Sequence, residues 1–410
     1  MDIFFQVLTV SEAWARLETN WQPKLTAVET LELTCAHQRI LAEPVVAADD
    51  VPPFSRSTVD GFAVRAADTF GASEGLPAFL TVMADIQMGQ AAEMQLSLSH
   101  TARIATGGML PPGADAVVMV EYTEEVDSST VAVVAPVAPG ENVVYRGEDI
   151  KQGALLLPAG HRLRPADIGA LAAIGQTKVA VRQAPKVGII STGDEIIPPE
   201  EVPQAGQVRD INSYSLGAAV SSAGGEPVYL GLSADKFKSV QKKVRAGLQN
   251  CDIVVLSGGS SIGTRDVAAK VLAKVGQPGI LVHGVALRPG KPLLIALCEG
   301  KPVFGLPGHP VSALLTFDLF IKPALGRLMG LISSPRPFLR ARLTRNLASA
   351  PGREEHVRVK LLETETGLLA EPVLGKSGLI TTLTEADGTI VIPVEKEGLV
   401  AGTEVEVYLL

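Results

Sequence analysis

From about residue 185 to 330, short apolar runs alternate with amphipathic ones almost without interruption. KVGIIST, PVYLGL and DIVVLSGG are near-continuous Val/Ile/Leu stretches of strand length. NSYSLGAAVSSAGG, ADKFKSVQKKVRAGLQN and RDVAAKVLAKVG, which follow them in turn, carry apolar residues at helical spacing. ILVHGVAL, LLIAL and VFGLP continue the strands before the long helical stretch HPVSALLTFDLFIKPALGRLMG. Strands this apolar are covered on both faces, and strand-helix alternation needs crossovers, so the pattern predicts a mostly parallel sheet with helices on both sides.

The flanking sequence has other periods. Residues 51–140 carry FLTVMADI, ARIAT, DAVVMVEYTEE and STVAVVAPV between Gly/Pro turns, which predicts an inserted β-rich lobe. On either side of it, 1–50 and 141–184 read as one discontinuous, elongated helical domain. Ser11 is placed to cap SEAWARLETNW, TLELTCAHQRILAEPV runs to Pro44, and Pro165 opens a helix that stops at Gly175. SSPRP reads as a linker, after which FLRARLTRNL, HVRVKLLE, TIVIPVEKEG and TEVEVYLL predict a small C-terminal β-barrel or sandwich over 333–410, leaving 185–332 to the α/β domain. The fold class is multidomain α/β plus β.

Composition narrows the function classes. A chain of 410 residues exceeds what one core supports, and 46% apolar residues with only 4% aromatic suit aliphatic α/β packing more than a base-stacking platform. A net charge of -8 disfavours unspecific binding to nucleic acid or an anionic membrane, so any anionic ligand has to be held locally. No apolar run reaches the roughly 20 residues that span a bilayer, and the N-terminus lacks a basic leader region, so a cytoplasmic protein is expected. Cys35, Cys251 and Cys298 stand far apart in apolar surroundings and read as reduced, buried thiols.

Candidate chemistry gathers where the parallel strands end. In such sheets ligands sit beyond the carboxyl ends of the strands, where glycines allow close approach and N–H groups and hydroxyls receive phosphate. KVGII runs into Ser191, Thr192, Gly193, Asp194 and Glu195; DIVVL into Ser257, Gly258, Gly259, Ser260, Ser261 and Gly263; VFGL into Pro307, Gly308 and Pro310. Arg288 and Lys291 flank the Pro-Gly turn of RPGKP and suit an oxyanion. Glu195 and Asp266 suit a hard divalent cation such as Mg²⁺ lying between carboxylates and phosphate. Each loop alone also reads as an ordinary turn, and Asp266 as a helix cap.

Taken in order, FSRSTVDGFAVR, RIATGGMLPPGADAVV, RGEDI, STGDE, SGGSSIGTRD, RPGKP and GLPGHPVSALLTF resemble the molybdopterin molybdenumtransferase family, the MoeA proteins and the C-terminal E domain of gephyrin. The resemblance covers essentially the whole chain. It implies a reaction in which adenylylated molybdopterin and molybdate yield molybdenum cofactor and AMP with Mg²⁺, and a head-to-tail homodimer with a shared active site. Asp60, Thr106 and Asp149 would then complete the partner's cleft, Asp60 and Asp149 with Glu195 and Asp266 acting in catalysis. Thr106 would join the strand-end loops in binding the pterin substrate. Glu195, Asp235 and Asp266 would hold the metal; Arg288, Lys291, Pro307, Gly308 and Pro310 the molybdate. Transient contact with the molybdopterin adenylyltransferase is also implied. Arg288 stands where Lys is commoner in the family, His309 where Asn is commoner. Two alternatives share parts of the resemblance: an adenylyltransferase built on the same α/β domain, and a non-catalytic scaffold as in the gephyrin branch.

Overall fold

The computed structural model describes residues 7–258, 262–332 and 335–410. They fall into two compact units. One runs from the first described residues to Glu29 and adds Gln38–Ala42 and Val181–Leu410; the other is Thr30–His37 with Glu43–Ala180.

The first unit opens with helix α1 (Val10–Asn20). Its N-cap is Thr9 and not Ser11: Thr9 Oγ1 accepts from Glu12 N at 3.2 Å, and Thr9 N donates back to Glu12 Oε2 at 2.8 Å. The reciprocal pair outcompetes Ser11 because a Glu stands three residues after Thr9. The helical reading does not hold for the stretch that follows, where Val28–Glu32 is a strand and Leu33–Cys35 a 3-10 turn. Its apolar spacing was mixed, and β-branched residues fit a strand.

The α/β sheet contains β1 (Lys186–Thr192), β2 (Glu226–Ser233), β3 (Ile253–Gly258), β4 (Gly279–His283), β5 (Leu294–Cys298) and β6 (Lys301–Leu306) in the order β2-β1-β3-β6-β5-β4. The pairings from β2 to β6 are parallel, whereas β5 is antiparallel to both neighbours. The short link from β5 to β6, Glu299–Gly300, is a hairpin, and a hairpin forces the reversal. Helices α2 (Asn212–Ser222), α3 (Phe237–Asn250), α4 (Ile262–Val275), α5 (Pro310–Thr316) and α6 (Lys322–Leu328) cover the sheet. Two apolar clusters form its core: one joins α1, α2, α5 and α6 around Phe304, Phe317 and Phe320, the other joins α3 and α4 around Val254, Leu256 and Leu272. Between α5 and α6, Phe317–Ile321 widens into a π turn just before Pro323, whose ring and missing N–H disturb regular helix pairing.

The C-terminal part is a closed five-stranded barrel of β7 (Phe338–Leu343), β8 (Glu354–Thr364), β9 (Gly367–Pro372), β10 (Gly388–Ile392) and β11 (Glu404–Leu409). An odd number of strands cannot close with antiparallel neighbours alone, and the one parallel pair is β7 with β9. Leu287–Arg288 from the α/β part adds to this barrel, pairing in parallel with Glu354–Glu355.

The second unit holds a six-stranded sheet in the order 116–119, 61–64, 100–104, 78–86, 130–133, 123–127, with only the 78–86 and 100–104 strands parallel. Pro165–Ala173 forms the expected helix with Pro at its start. Cys251 and Cys298 are buried, and desolvation pushes the Cys298 thiol up to about 11; Cys35, in the 3-10 turn, is exposed contrary to expectation. Among the described residues no helix is long and apolar enough to cross a membrane.

Candidate functional site

The carboxyl edge of the sheet carries a buried polar network, which an α/β core tolerates only when its members satisfy one another. Ser191 at the end of β1 is fully buried; its Oγ donates to Asp210 Oδ1 at 3.0 Å and lies 2.8 Å from Ser213 Oγ. Asp210 Oδ1 also accepts from Ser213 N at 3.1 Å at the start of α2. Asn212, 7% exposed, donates from Nδ2 to Ser257 Oγ at the end of β3 and to Gly308 O after β6, both at 2.7 Å. One amide therefore ties together two of the loops singled out from sequence. Its Oδ1 has no hydrogen-bond partner among the described residues. Asp210, Asn212 and Ser213 were not among the expected site residues.

The two loop glycines differ in what they allow. Gly258 has φ +145°, and a Cβ there would lie 1.8 Å from the carbonyl oxygen of Thr192 on the adjacent strand. Only glycine lets β1 and β3 end this close together. Gly193, at φ +153°, leads into the exposed carboxylates Asp194 and Glu195. Asp194 Oδ1 accepts from Asp235 N at 3.2 Å, which joins the end of β1 to the loop after β2. Gly259, Ser260 and Ser261 lie outside the described residues, as do the side chains of residues 262–266, Asp266 included. The backbone of α4 begins at Ile262, so Gly263 stands in its first turn and Asp266 a full turn inside the helix, not at its cap.

Beside this edge opens a cleft of about 840 Å³, walled by the RPGKP turn, the loop after β6 and the barrel. Two clamps fix its walls. Arg288 Nη1 meets Glu355 Oε2 at 3.2 Å beside the backbone pairing of 287–288 with β8. His309 Nδ1 lies 2.7 Å from Ser377 Oγ, and Val311 N donates to Ser377 O at 3.2 Å. Lys291 and Pro307 line the cleft, while Pro310 is buried at the start of α5. The barrel adds two residues that were not foreseen: Arg358, 7% exposed, donates from Nη2 to Gly375 O at 2.9 Å, and His356, 6% exposed, has Nε2 2.7 Å from Glu354 Oε1. Among the described residues Arg358 Nε and His356 Nδ1 have no partner. A cationic wall with a buried, incompletely satisfied guanidinium is the chemistry that holds an oxyanion.

In the second unit, Asp60 Oδ1 accepts from both Thr106 N at 2.7 Å and Thr106 Oγ1 at 2.9 Å. The backbone bond and then the hydroxyl hold this exposed carboxylate below its usual range, so it stays anionic. Asp149 is also exposed, with its N–H on Val51 O at 3.1 Å. Among the described residues no three His, Cys, Asp or Glu side chains meet as a metal site.

Similarity to known proteins agrees with this geometry. Residues 8–175 match the family described as the MoeA N-terminal region (domain I and II), 188–327 a probable molybdopterin binding domain, and 340–410 the MoeA C-terminal region (domain IV). The molybdopterin molybdenumtransferase of a Nostoc species is 34% identical over 97% of this chain and 92% of its own. That of Bacillus subtilis is 34% identical over 93% and 90%. A crystal structure of the molybdopterin biosynthesis MoeA protein from Pyrococcus horikoshii OT3 is 33% identical, covers 99% of this chain and 100% of its own, and superimposes with a TM-score of 0.86. With every segment matched and a hydroxyl-lined sheet edge opening beside a cationic cleft, the chain belongs to the molybdopterin molybdenumtransferases of molybdenum cofactor biosynthesis.

Proposed function

We propose that the chain takes adenylylated molybdopterin and molybdate, cleaves the phosphoanhydride, releases AMP and leaves molybdenum on the dithiolene. One observation carries this reading: Asn212 Nδ2 bonds both Ser257 at the strand-end loops and Gly308 at the oxyanion cleft, so the two binding regions are built as one piece. The strand-end loops that follow Ser191 and Ser257 receive the phosphates, with Thr192 at the rim, while the buried Ser191 and Ser257 hydroxyls fix those loops from behind through Asp210 and Asn212. Arg358 and Lys291 hold the molybdate, and Arg288 assists with donors not spent on Glu355. His309 and Pro307 shape the opposite wall.

A magnesium ion is part of the proposal, with strand-end carboxylates as its ligands. Asp194 already reaches the loop of Asp235, and Thr192 and Ser233 are register partners at the ends of adjacent strands, so Glu195 and Asp235 follow paired positions. Both are hard oxygen donors of the kind Mg²⁺ takes beside phosphate. Glu195 and Asp235, with Asp266, would hold the ion, which supplies charge neutralisation at the anhydride. The protein's own part is positioning and electrostatics, and no covalent protein intermediate is required. A head-to-tail homodimer completes the site, with Asp60, Thr106 and Asp149 contributed by the partner subunit.

The test is incubation of the purified chain with adenylylated molybdopterin and Mg²⁺, with and without molybdate. AMP released together with molybdenum-loaded pterin supports the reading. Formation of adenylylated molybdopterin from molybdopterin and ATP, with no AMP release in the first assay, would assign the chain to the adenylyltransferase reaction instead.

A further inference from the structure

A second, smaller cavity of about 220 Å³ opens at the free edge of the sheet, next to the phosphate loop but apart from the cationic cleft. Pro198, Pro199, Tyr214, Tyr229, Gly231 and Leu232 wall it, and Asp210 and Ser213 form its polar lining. The two tyrosine rings, 6.5 Å apart between centroids and inclined by 37°, form a wedge. Both are more than half exposed (58% and 56%), unusual for paired large aromatics without a partner surface.

Each wall is held in place. Ile196–Ile197 pairs in parallel with Val208–Arg209, and Arg209 Nε donates to Pro199 O at 2.8 Å and to Glu201 O at 3.1 Å, which fixes the two prolines. Tyr229 lies across α2 only because residue 217 is glycine: a Cβ there would sit 2.0 Å from the Tyr229 hydroxyl oxygen. At the polar end, Asp210 is bonded to Ser191 and Ser213, so the slot and the phosphate loop share one buried network.

We propose that this slot is the ring subsite of the substrate and takes a planar aminated heterocycle, the adenine or the pterin of adenylylated molybdopterin; this rests on the substrate assignment above. The chemistry is that of ring recognition. Flat apolar walls of Tyr and Pro accept a π face, and an acceptor-only carboxylate suits ring N–H and NH₂ donors. Ser191 ties the phosphate loop directly to that carboxylate, so a ring in the slot leaves its phosphate beside residues 191–193.

Binding of AMP, molybdopterin and molybdate is measured separately on the full chain for wild type, Tyr214→Ala, Gly217→Ala and Tyr229→Phe, with molecular mass by ultracentrifugation. Tyr214→Ala changes an exposed side chain. Gly217→Ala improves helix propensity while pushing the Tyr229 ring aside, so neither endangers folding. Both are expected to weaken either AMP or molybdopterin by roughly fivefold to a hundredfold, the range found when a stacking aromatic is removed, with molybdate unchanged and Tyr229→Phe near wild type. Whichever of the two ligands responds identifies the ring. Unchanged affinity for both ligands, an equal loss for molybdate, or a change of oligomeric state would each overturn the proposal. Failure of wild type to bind either AMP or molybdopterin would overturn the substrate assignment itself.

Discussion

Removing the Asn212 amide should loosen the sheet edge and the loop after β6 together. In Asn212→Ala, Ser257 Oγ and Gly308 O each lose a donor at 2.7 Å. Ser257 is fully buried, but its hydroxyl keeps its own proton to donate; Gly308 is half-buried and can recruit water. Both losses therefore fall toward the low end of the 1–3 kcal/mol usual for a stranded buried group, and with lost packing total about 2–4 kcal/mol. For a unit of this size that lowers the calorimetric midpoint by roughly 5–10 °C. Asn212→Asp should be at least as damaging despite its matching shape, because it places a carboxylate oxygen against the Gly308 carbonyl. Calorimetry and titration with adenylylated molybdopterin measure both effects. Stability of Asn212→Ala within about 0.5 kcal/mol of wild type would refute the view that this amide joins the two loops.

Three further outcomes follow from other parts of the molecule. Gly258→Ala should cost more than about 3 kcal/mol in denaturant unfolding, since a positive φ and a backbone collision at 1.8 Å add; a neutral variant would contradict the close approach of β1 and β3. Asp167 is buried at the start of the Pro165–Ala173 helix and bonded to Arg164 and His161, first of all through the Arg164 side chain, which holds its carboxyl well below the usual range. Its contribution is thus present above the ordinary Asp value of about 4 and lost as pH falls below it; Asp167→Asn should cost about 1–3 kcal/mol at neutral pH and flatten that acid limb, and an unchanged limb would count against it. Mixed dimers of Asp60→Ala with Asp266→Ala should regain activity through one intact composite site, and verified heterodimers without recovery would speak against shared sites.

Much of this was legible in the chain. The parallel strands showed as apolar runs because both their faces are covered, and their ends showed because phosphate chemistry calls for glycine and hydroxyls in unusual density. The network behind those ends was not. RDINSYS reads as a polar helix start, and nothing in its period says that Asp210, Asn212 and Ser213 turn inward to the strand ends and the loop after β6. His356 and Arg358 were missed for a related reason. Val357 and Val359 fill the barrel, so strand alternation assigns 356 and 358 to a solvated outer face. That face instead borders a small cavity that Val311, Leu314 and Leu315 of α5 also line, a meeting of distant segments that local pattern does not encode.

Oxyanion capture by the cationic cleft is tested most directly in a single-turnover reaction in which AMP and pterin-bound molybdenum are counted in the same sample for wild type and Arg358→Met. Wild type should insert one molybdenum per AMP released. In the variant both should fall together by about tenfold to a hundredfold at limiting molybdate and recover when molybdate is raised, the range expected for losing a charge-assisted contact. Molybdenum loading in the variant equal to wild type at limiting molybdate would contradict the assignment of the cationic cleft to the oxyanion.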